Sequence, residues 1–558
     1  MIQFRFISFV ALMLNVLLVV GDVDAQAKPT LFADTNRPNT STFHLGEKVE
    51  ATFSVTGLAA NEEVKLILDI RNELGKSITK PEPIALSGNA IGKAQYVYSA
   101  PVDRFGYYEI NAKLSNGSLL VSLGSRPAGI ISYVVVPDPR NRIDYGDGLS
   151  RFGLLGGFST SAVVIPYLGV RYMLTGNDWA QLEPDFSGQF QQERDKADHA
   201  GKRHPPKAPE YEKPIFQGKE WTTYNLSLLT KAGLPAWALK AKTEGTSCKK
   251  FGELNEQGMK ALSLFAVSQA KAFAADYNNQ KTRYYQITWE PAEGWCYGGT
   301  PEGLVKIFAH SYEAIHQGDP HAIVAGPTLF IEESSTRQLN ELWAAGLGKY
   351  IDALSIHPYV PQWPPEENGL PAILHKQLKA AVKAIGRPIP FIGTEHGYCS
   401  NKIGNLNKAL GDIRTTIIML GEGASLDMGF YVADFWDGDD PLKTDGYGFY
   451  WNLNPRIQHG TDKLGPKIIV PAYAAMTNFL DGTISEGVLP NTEGTQVGYT
   501  FQKANATISV VWDYGSSSSY KIPGGTTICD WMGNCSKAKQ SEITIGGAPT
   551  YIIAGKTP

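Results

Sequence analysis

From about residue 150 to 482 the chain alternates short apolar runs with longer stretches of helical periodicity, an order that few architectures accept. The runs are FGLLGG (152–157), LGVRYML (168–174), LPAWALK (234–240), YYQITW (284–289), AIVAGPT (322–328), IDALSIHPY (351–359), IPFIGTEH (389–396) and MGFYVADFW (428–436). Each reads as a buried strand. Helical patterns such as EQGMKALSLFAVSQAKAFAADY and ALGDIRTTIIMLGEG separate the later ones. Strands alternating with helices predict parallel βα units, and eight of them predict a (β/α)8 TIM barrel over 141–482. The polar segment 185–220 is expected to be an insertion on the active face.

The flanks follow a different period. Residues 26–137 carry alternating segments such as KVEATFSVTG, EVKLILDIRN and GYYEINAKLS, divided by turn residues. They predict an N-terminal β-sandwich, Ig-like or carbohydrate-binding-like. PDPR at 137–140 joins it to the barrel. Alternation returns in 483–558, in TQVGYTFQ, ATISVVWDYG and TYIIAG, which predicts a smaller C-terminal β-sandwich.

The first 25 residues read as a secretory signal peptide. An apolar stretch from Phe6 to Val20 is followed by Val23-Asp24-Ala25, with small residues placed for cleavage before Gln26. A secreted or periplasmic location is expected, with no membrane attachment after cleavage. Export permits disulfides. Cys529 and Cys535 enclose the turn-like DWMGN and are expected to pair. Cys248 and Cys296 could pair if their loops are neighbours, leaving Cys399 as the odd thiol. No Cys or His sits at metal-ligand spacing, so no metal and no cofactor is expected. Lys+Arg and Asp+Glu nearly balance, at 51 and 55. A basic face for nucleic acid is therefore not expected.

Catalytic groups of such barrels sit at the C-terminal strand ends. Strand four ends in Trp289-Glu290-Pro291, and strand seven in Thr394-Glu395-His396. Two carboxyl groups facing one mouth are what glycoside hydrolysis needs, one as acid and one as nucleophile. Strand six ends in His357-Pro358-Tyr359. His357 is expected to contact sugar hydroxyls and Tyr359 to hydrogen-bond the nucleophile. Trp436, at the end of strand eight, is expected to floor a sugar subsite. Trp237, Trp289 and Trp295 are expected to line others. Arg171, read as ending strand two, is a candidate partner for Glu395, and His396 a further contact.

These strand ends resemble clan A of the retaining glycoside hydrolases. In that clan the strand-four glutamate, often followed by proline, is the acid/base, and the strand-seven glutamate is the nucleophile. The resemblance implies these roles for Glu290 and Glu395. The pattern from Asp352 through Ser355-Ile356-His357-Pro358-Tyr359 is also similar to the clan, as is an aromatic ending strand eight. Closure on Ala-Pro-Thr-Tyr-Ile, residues 548–552, resembles glycoside hydrolase family 39 and its relatives. The resemblance runs from about 141 to 558. It implies a retaining hydrolase acting on a carbohydrate by double displacement. The long strand-two loop and the tryptophans add an expectation of endo cleavage of an exopolysaccharide. The clan's asparagine before the acid/base is here Trp289, so the sugar 2-hydroxyl contact is either lost or supplied by another residue such as His357. A non-catalytic glycan-binding barrel and a transglycosylase are the alternative readings.

Overall fold

A computed structural model describes residues 28–555, apart from 157–162, 177, 200–214, 217, 231–232, 241–251, 292–295, 360–362, 436–444 and 455–462. The expected signal peptide, Cys248, Trp295 and Trp436 lie outside the described residues. No helix among the described residues is long and apolar enough to cross a membrane.

Eight strands close a parallel barrel: β1 (Phe152–Leu154), β2 (Tyr172–Gly176), β3 (Tyr224–Leu228), β4 (Arg283–Gln286), β5 (Ala322–Phe330), β6 (Ala353–His357), β7 (Phe391–His396) and β8 (Leu426–Gly429), with β8 paired to β1. Alternation along the strands decides which side chains fill the barrel. Tyr172, Tyr224, Leu226, Tyr284, Ile392 and Met428 pack inside it. Their neighbours Met173, Tyr285, Leu354 and Phe391 join the outer core beneath the helices. A closed barrel buries strands on both faces, which is why they read as near-continuous apolar runs.

Strand three departs from that reading. The run LPAWALK does not enter the barrel. Ala236–Ala238 makes one 3-10 turn, and Leu239 only an isolated bridge to Leu254. Pro235 before that turn has no N–H to give a ladder. The barrel takes Tyr224–Leu228 instead, although Asn225 and Ser227 make it look half polar. Gln280 pairs with the backbone N–H and C=O of Asn225 (2.8 and 2.7 Å), and Gln269 donates to the Ser227 hydroxyl. These bonds satisfy the Asn225 backbone and the Ser227 hydroxyl within the buried strand.

Strand eight ends at Gly429, earlier than expected, so Phe430 and Tyr431 stand at the strand end rather than Trp436. The polar segment 185–220 is not wholly a loop. It contains the helix Gln189–His199 and a short hairpin, Ile215–Phe216 with Lys219–Glu220.

Both flanks are β domains. The N-terminal one faces a three-stranded sheet (Thr30–Thr35, Val49–Thr56, Lys93–Ala100) with a larger, mainly antiparallel one, around Phe53, Leu66, Ile110 and Tyr133. The C-terminal one is built on a six-stranded sheet. Cys529 and Cys535 form a disulfide within it. Cys296 is disulfide-bonded and Cys399 is a free thiol.

Candidate active site

β4 carries its alternation past its last ladder residue. Thr288 donates to Pro327 O (2.8 Å), and Glu290 then takes a left-handed backbone, φ 43°. Non-glycine residues at such φ cost on the order of 1–3 kcal/mol and cluster at functional sites. The turn brings the buried Glu290 side chain across the barrel mouth to His357. Its Oε1 lies 2.7 Å from His357 Nδ1.

On β6, Ala353 packs inside the barrel and Leu354 and Ile356 outside, so Ser355 and His357 face inward. His357 is fully buried, with Nε2 3.1 Å from Thr394 Oγ1. Thr394 meets Ser355 Oγ at 3.0 Å, and Thr328 donates to Ser355 Oγ at 3.1 Å. A line of hydroxyls thus runs through the barrel to the imidazole and ends on Glu290. Trp289 lies edge-on to the same imidazole, with centroids 4.9 Å apart, and packs against the interior core.

β7 needs a different device. Ile392 and Thr394 face inward, so strict alternation would send Glu395 outward and His396 into the mouth. The pairing of β7 with β8 shifts register between Gly393 and His396. A bulge of this kind re-aims side chains. Glu395 therefore enters the mouth, where Tyr359 donates to its Oε1 at 2.7 Å. Burial first, and Glu395 second, push the Tyr359 hydroxyl well above its ordinary pKa, so it remains a donor.

Oxygens of Glu290 and Glu395 and a ring nitrogen of His357 lie within 4.8 Å of one another. These three are the group among the described residues best placed to hold a cation. The close pair, Nδ1 and Oε1, is joined by a hydrogen bond instead. A cavity of about 500 Å³ opens over the two carboxyls, walled by Phe330, Tyr359, Tyr398, Phe430 and Tyr447, with Glu332 and Lys402 at its edge.

Several expected contacts lie elsewhere. Arg171 precedes the first residue of β2 and so stands at the opposite end of the barrel. Its guanidinium donates to Thr222 O (3.0 Å) and lies 3.5 Å over the Trp221 ring, so it is no partner for Glu395. The β7 bulge turns His396 outward. There Nε2 meets Asp427 Oδ2 at 2.7 Å and Thr416 Oγ1 at 3.0 Å, the latter on the helix Ser400–Gly421. Burial opposes the charge on His396, but Asp427 outweighs it and the imidazole titrates above its usual value. Trp237 packs edge-on against the buried Trp179 and donates to Glu183 O, outside the cavity. Phe430 and Tyr447 were not anticipated. Phe430 was read as strand interior, and Tyr447 sits in a Gly-rich loop with no periodic signal.

No protein-family model matches the chain, and no curated protein matches it by sequence. Solved structures do. A family 39 glycoside hydrolase from the gut symbiont Bacteroides cellulosilyticus WH2 matches 94% of this chain and 100% of its own, with a TM-score of 0.60 at 16% identity. The chain has the family 39 fold. A match over 94% of the chain takes in the N-terminal sandwich, so the likeness extends beyond the 141–558 span legible in sequence. A glucosidase from Croceicoccus marinus matches 74% of this chain and 97% of its own (TM-score 0.48, 11% identity). A GH30 endoxylanase from Clostridium papyrosolvens C71 matches 73% and 97% (TM-score 0.46, 11% identity).

Proposed function

We propose that the chain is an exported retaining glycoside hydrolase, with Glu395 as nucleophile and Glu290 as acid/base. The observation that carries this reading is the placing of two buried carboxyls, from strands four and seven, within 4.8 Å in one cavity. Retaining enzymes hold their carboxyls about 5–5.5 Å apart, whereas inverting ones need ~6.5–9.5 Å to admit water between them.

In the first step a Glu395 oxygen bonds to the anomeric carbon as the glycosidic C–O bond breaks. The bonding pair goes to the leaving oxygen, which takes the proton of Glu290. In the second step water gives a proton to the Glu290 carboxylate while its oxygen displaces Glu395. Tyr359 supports this by donating to the nucleophile's charged form. With Nδ1–H of His357 donating to Oε1, the transferable proton is placed on Oε2 of Glu290. The phenyl and phenol rings of Phe330, Phe430 and Tyr447 offer apolar faces to a sugar ring. Cleavage within a polysaccharide, and not only at its end, suits a cavity open over both carboxyls.

The test is activity of the mature chain on exopolysaccharides and aryl glycosides, with mass spectrometry of the chain after an activated fluoro-glycoside. A glycosyl adduct mapping to Glu395 is the expected result. Hydrolysis that survives in both Glu395→Gln and Glu290→Gln would remove the assignment. Products joined to an added sugar acceptor instead of water would make it a transglycosylase. Glycan binding without turnover would favour the non-catalytic alternative.

A further inference from the structure

A second cleft, of about 450 Å³, lies far from the glutamates, at one end of the N-terminal sandwich. It exists because the two sheets do not match in width there. On the edge strand Lys93–Ala100, Ala94, Tyr96, Tyr98 and Ala100 turn toward the sandwich core, yet all are only partly covered. Opposite them, Ser77–Thr79 is three residues long and wholly exposed. Tyr98 therefore overhangs an opening. Among the described residues its hydroxyl has no protein hydrogen bond, while burial of the ring raises its pKa.

The floor of the cleft is the loop 101–105, and it is pinned at Pro101, Arg104 and Phe105. Tyr133 donates to Pro101 O (2.8 Å) and Tyr108 to Arg104 O (2.9 Å). Asn534 takes the Phe105 N–H on Oδ1 (2.9 Å) and donates Nδ2 to Phe105 O (3.0 Å). Arg104 reaches Asp530 at 3.2 Å. Asp530 and Asn534 lie inside the loop closed by the Cys529–Cys535 disulfide, so the C-terminal domain fixes a loop of the N-terminal one. The pinned loop carries Asp103 and Arg104 into the cleft, and Glu73 lines it beside Gly106. Burial pushes the Glu73 carboxyl up, and the Arg104 charge pulls it back.

A rigid concavity of this size, with an aromatic face and a few convergent polar groups, is the form of a small-molecule site. Its composition narrows the ligand. Two carboxyls and one guanidinium pair naturally with neighbouring hydroxyls, and the half-covered Tyr98 ring with the C–H face of a pyranose. Pinning the loop beforehand lowers the ordering cost of binding.

We propose that this cleft is a second carbohydrate site, holding one neutral sugar unit on Tyr98 with Glu73, Asp103 and Arg104 as polar partners. The proposal rests on the hydrolase reading only for its choice of ligand. A second anchoring point would raise the effective concentration of a long glycan at the catalytic cavity.

The test uses the full chain carrying Glu395→Gln, titrated calorimetrically with the oligosaccharides of the activity panel. Two equivalents per chain are expected. Adding Tyr98→Ala, or separately Glu73→Gln, should leave one. Glu73→Gln changes a partly exposed side chain and guards against a folding defect in Tyr98→Ala. On long polysaccharide, losing the second point should weaken overall binding at least about fivefold. One equivalent before the second substitution, or two persisting after both, overturns the proposal. Hydrolysis by the parent is scored separately: a parent that binds two equivalents but cuts nothing leaves the cleft standing and removes the hydrolase.

Discussion

Glu290 and Glu395 reach the same point from strands three apart, but the molecule holds them by different means. Glu290 is held from within the barrel. Its partner His357 is fully buried, and the hydroxyls behind it, Thr394, Ser355 and Thr328, all belong to barrel strands. Glu395 is held from the rim. Tyr359 lies beyond the end of β6, and its ring meets Tyr447 at 6.3 Å. Tyr447 also meets Phe430 at 5.5 Å, and both belong to the segment after β8. The Glu290 side is thus set by residues that also make the barrel. The Glu395 side depends on loops, and through them on a neighbouring domain. Changes to flanking structure should reach the second carboxyl and spare the first.

The largest expected effects separate the two carboxyls by chemistry. Glu395→Gln should lower kcat by at least about a thousandfold on every substrate, since among the described residues no other group is placed to form the covalent bond. Glu290→Gln should lose about 10²–10⁴-fold on natural glycosides, whose leaving oxygens need a proton, and far less on activated aryl glycosides. Equal losses on both substrate types would collapse the distinction. One level out, the same contrast should persist. His357→Ala removes the imidazole from a buried carboxyl, and its cost should depend on the leaving group. Tyr359→Phe deletes a hydrogen bond to a charged group, worth about 1.5–3 kcal/mol, or roughly ten- to a hundredfold in rate. That loss should be independent of the leaving group. Rates across an aryl glycoside series would measure both slopes.

Asp445 gives the rim a pH dependence of its own. Burial, then the charge of Asp434, raises its pKa to about 7, against the pull of Lys467. Unfolded, the carboxyl loses its proton near its ordinary value of about 3.9; folded, it keeps the proton to about 7. The folded state therefore binds more protons in between, and stability falls as pH rises across that window. Asp445→Asn should flatten the profile and raise stability above pH 7, by an amount on the order of a few kcal/mol. Denaturation midpoints of the parent and variant from pH 4 to 8 would check it. Parallel profiles would show that Asp445 is ionised throughout.

What the sequence discloses follows the same division. Strand ends made by regular alternation are legible: Ala353 to His357 alternates without fault, and His357 is where that predicts. The Glu290 side depends on such positions. His396 was misread because a one-residue register shift on β7 exchanges it with Glu395, and no composition marks a bulge. Arg171 was misread because its strand begins one residue later, which moves a side chain from one end of the barrel to the other. LPAWALK was read as strand three on its apolar content; YNLSL looks half polar, and the groups that pair within it, Gln269 on Ser227 and Gln280 on the Asn225 backbone, lie some forty to fifty-five residues further along the chain. Phe430 and Tyr447 reach the cavity through the packing of loops, which has no period to read.

The smallest expected effect tests the division at its far end. A turn of the N-terminal sandwich is pressed into the segment after β8. A side chain at Gly124, whose φ is +55°, would place its Cβ 2.0 Å from Asn452 O. Ser125 gives its N–H to Asn452 O (2.8 Å), accepts the Asn452 N–H on Oγ (2.9 Å) and reaches Asp434 Oδ2 at 3.2 Å. The buried Asp434 in turn accepts the N–H of Gly448, the residue next to Tyr447, at 2.8 Å. The path from the sandwich to Glu395 therefore runs Ser125, Asp434, Tyr447, Tyr359, Glu395. Ser125→Ala deletes two hydrogen bonds at its start, one to a backbone N–H worth about 0.5–1.5 kcal/mol and one to a carboxylate worth about 1.5–3 kcal/mol. Little of that should survive to the carboxyl, so a fall of about two- to fivefold in kcat is expected, the same for all leaving groups, as for Tyr359→Phe. Amide exchange should quicken at 447–450 and stay unchanged in β6 and β7. If the loss instead varies with the leaving group, the sandwich acts on Glu290 and the two halves are not held separately. If neither rate nor exchange moves, the sandwich only adjoins the barrel, and the rim positions Tyr447 by its own packing.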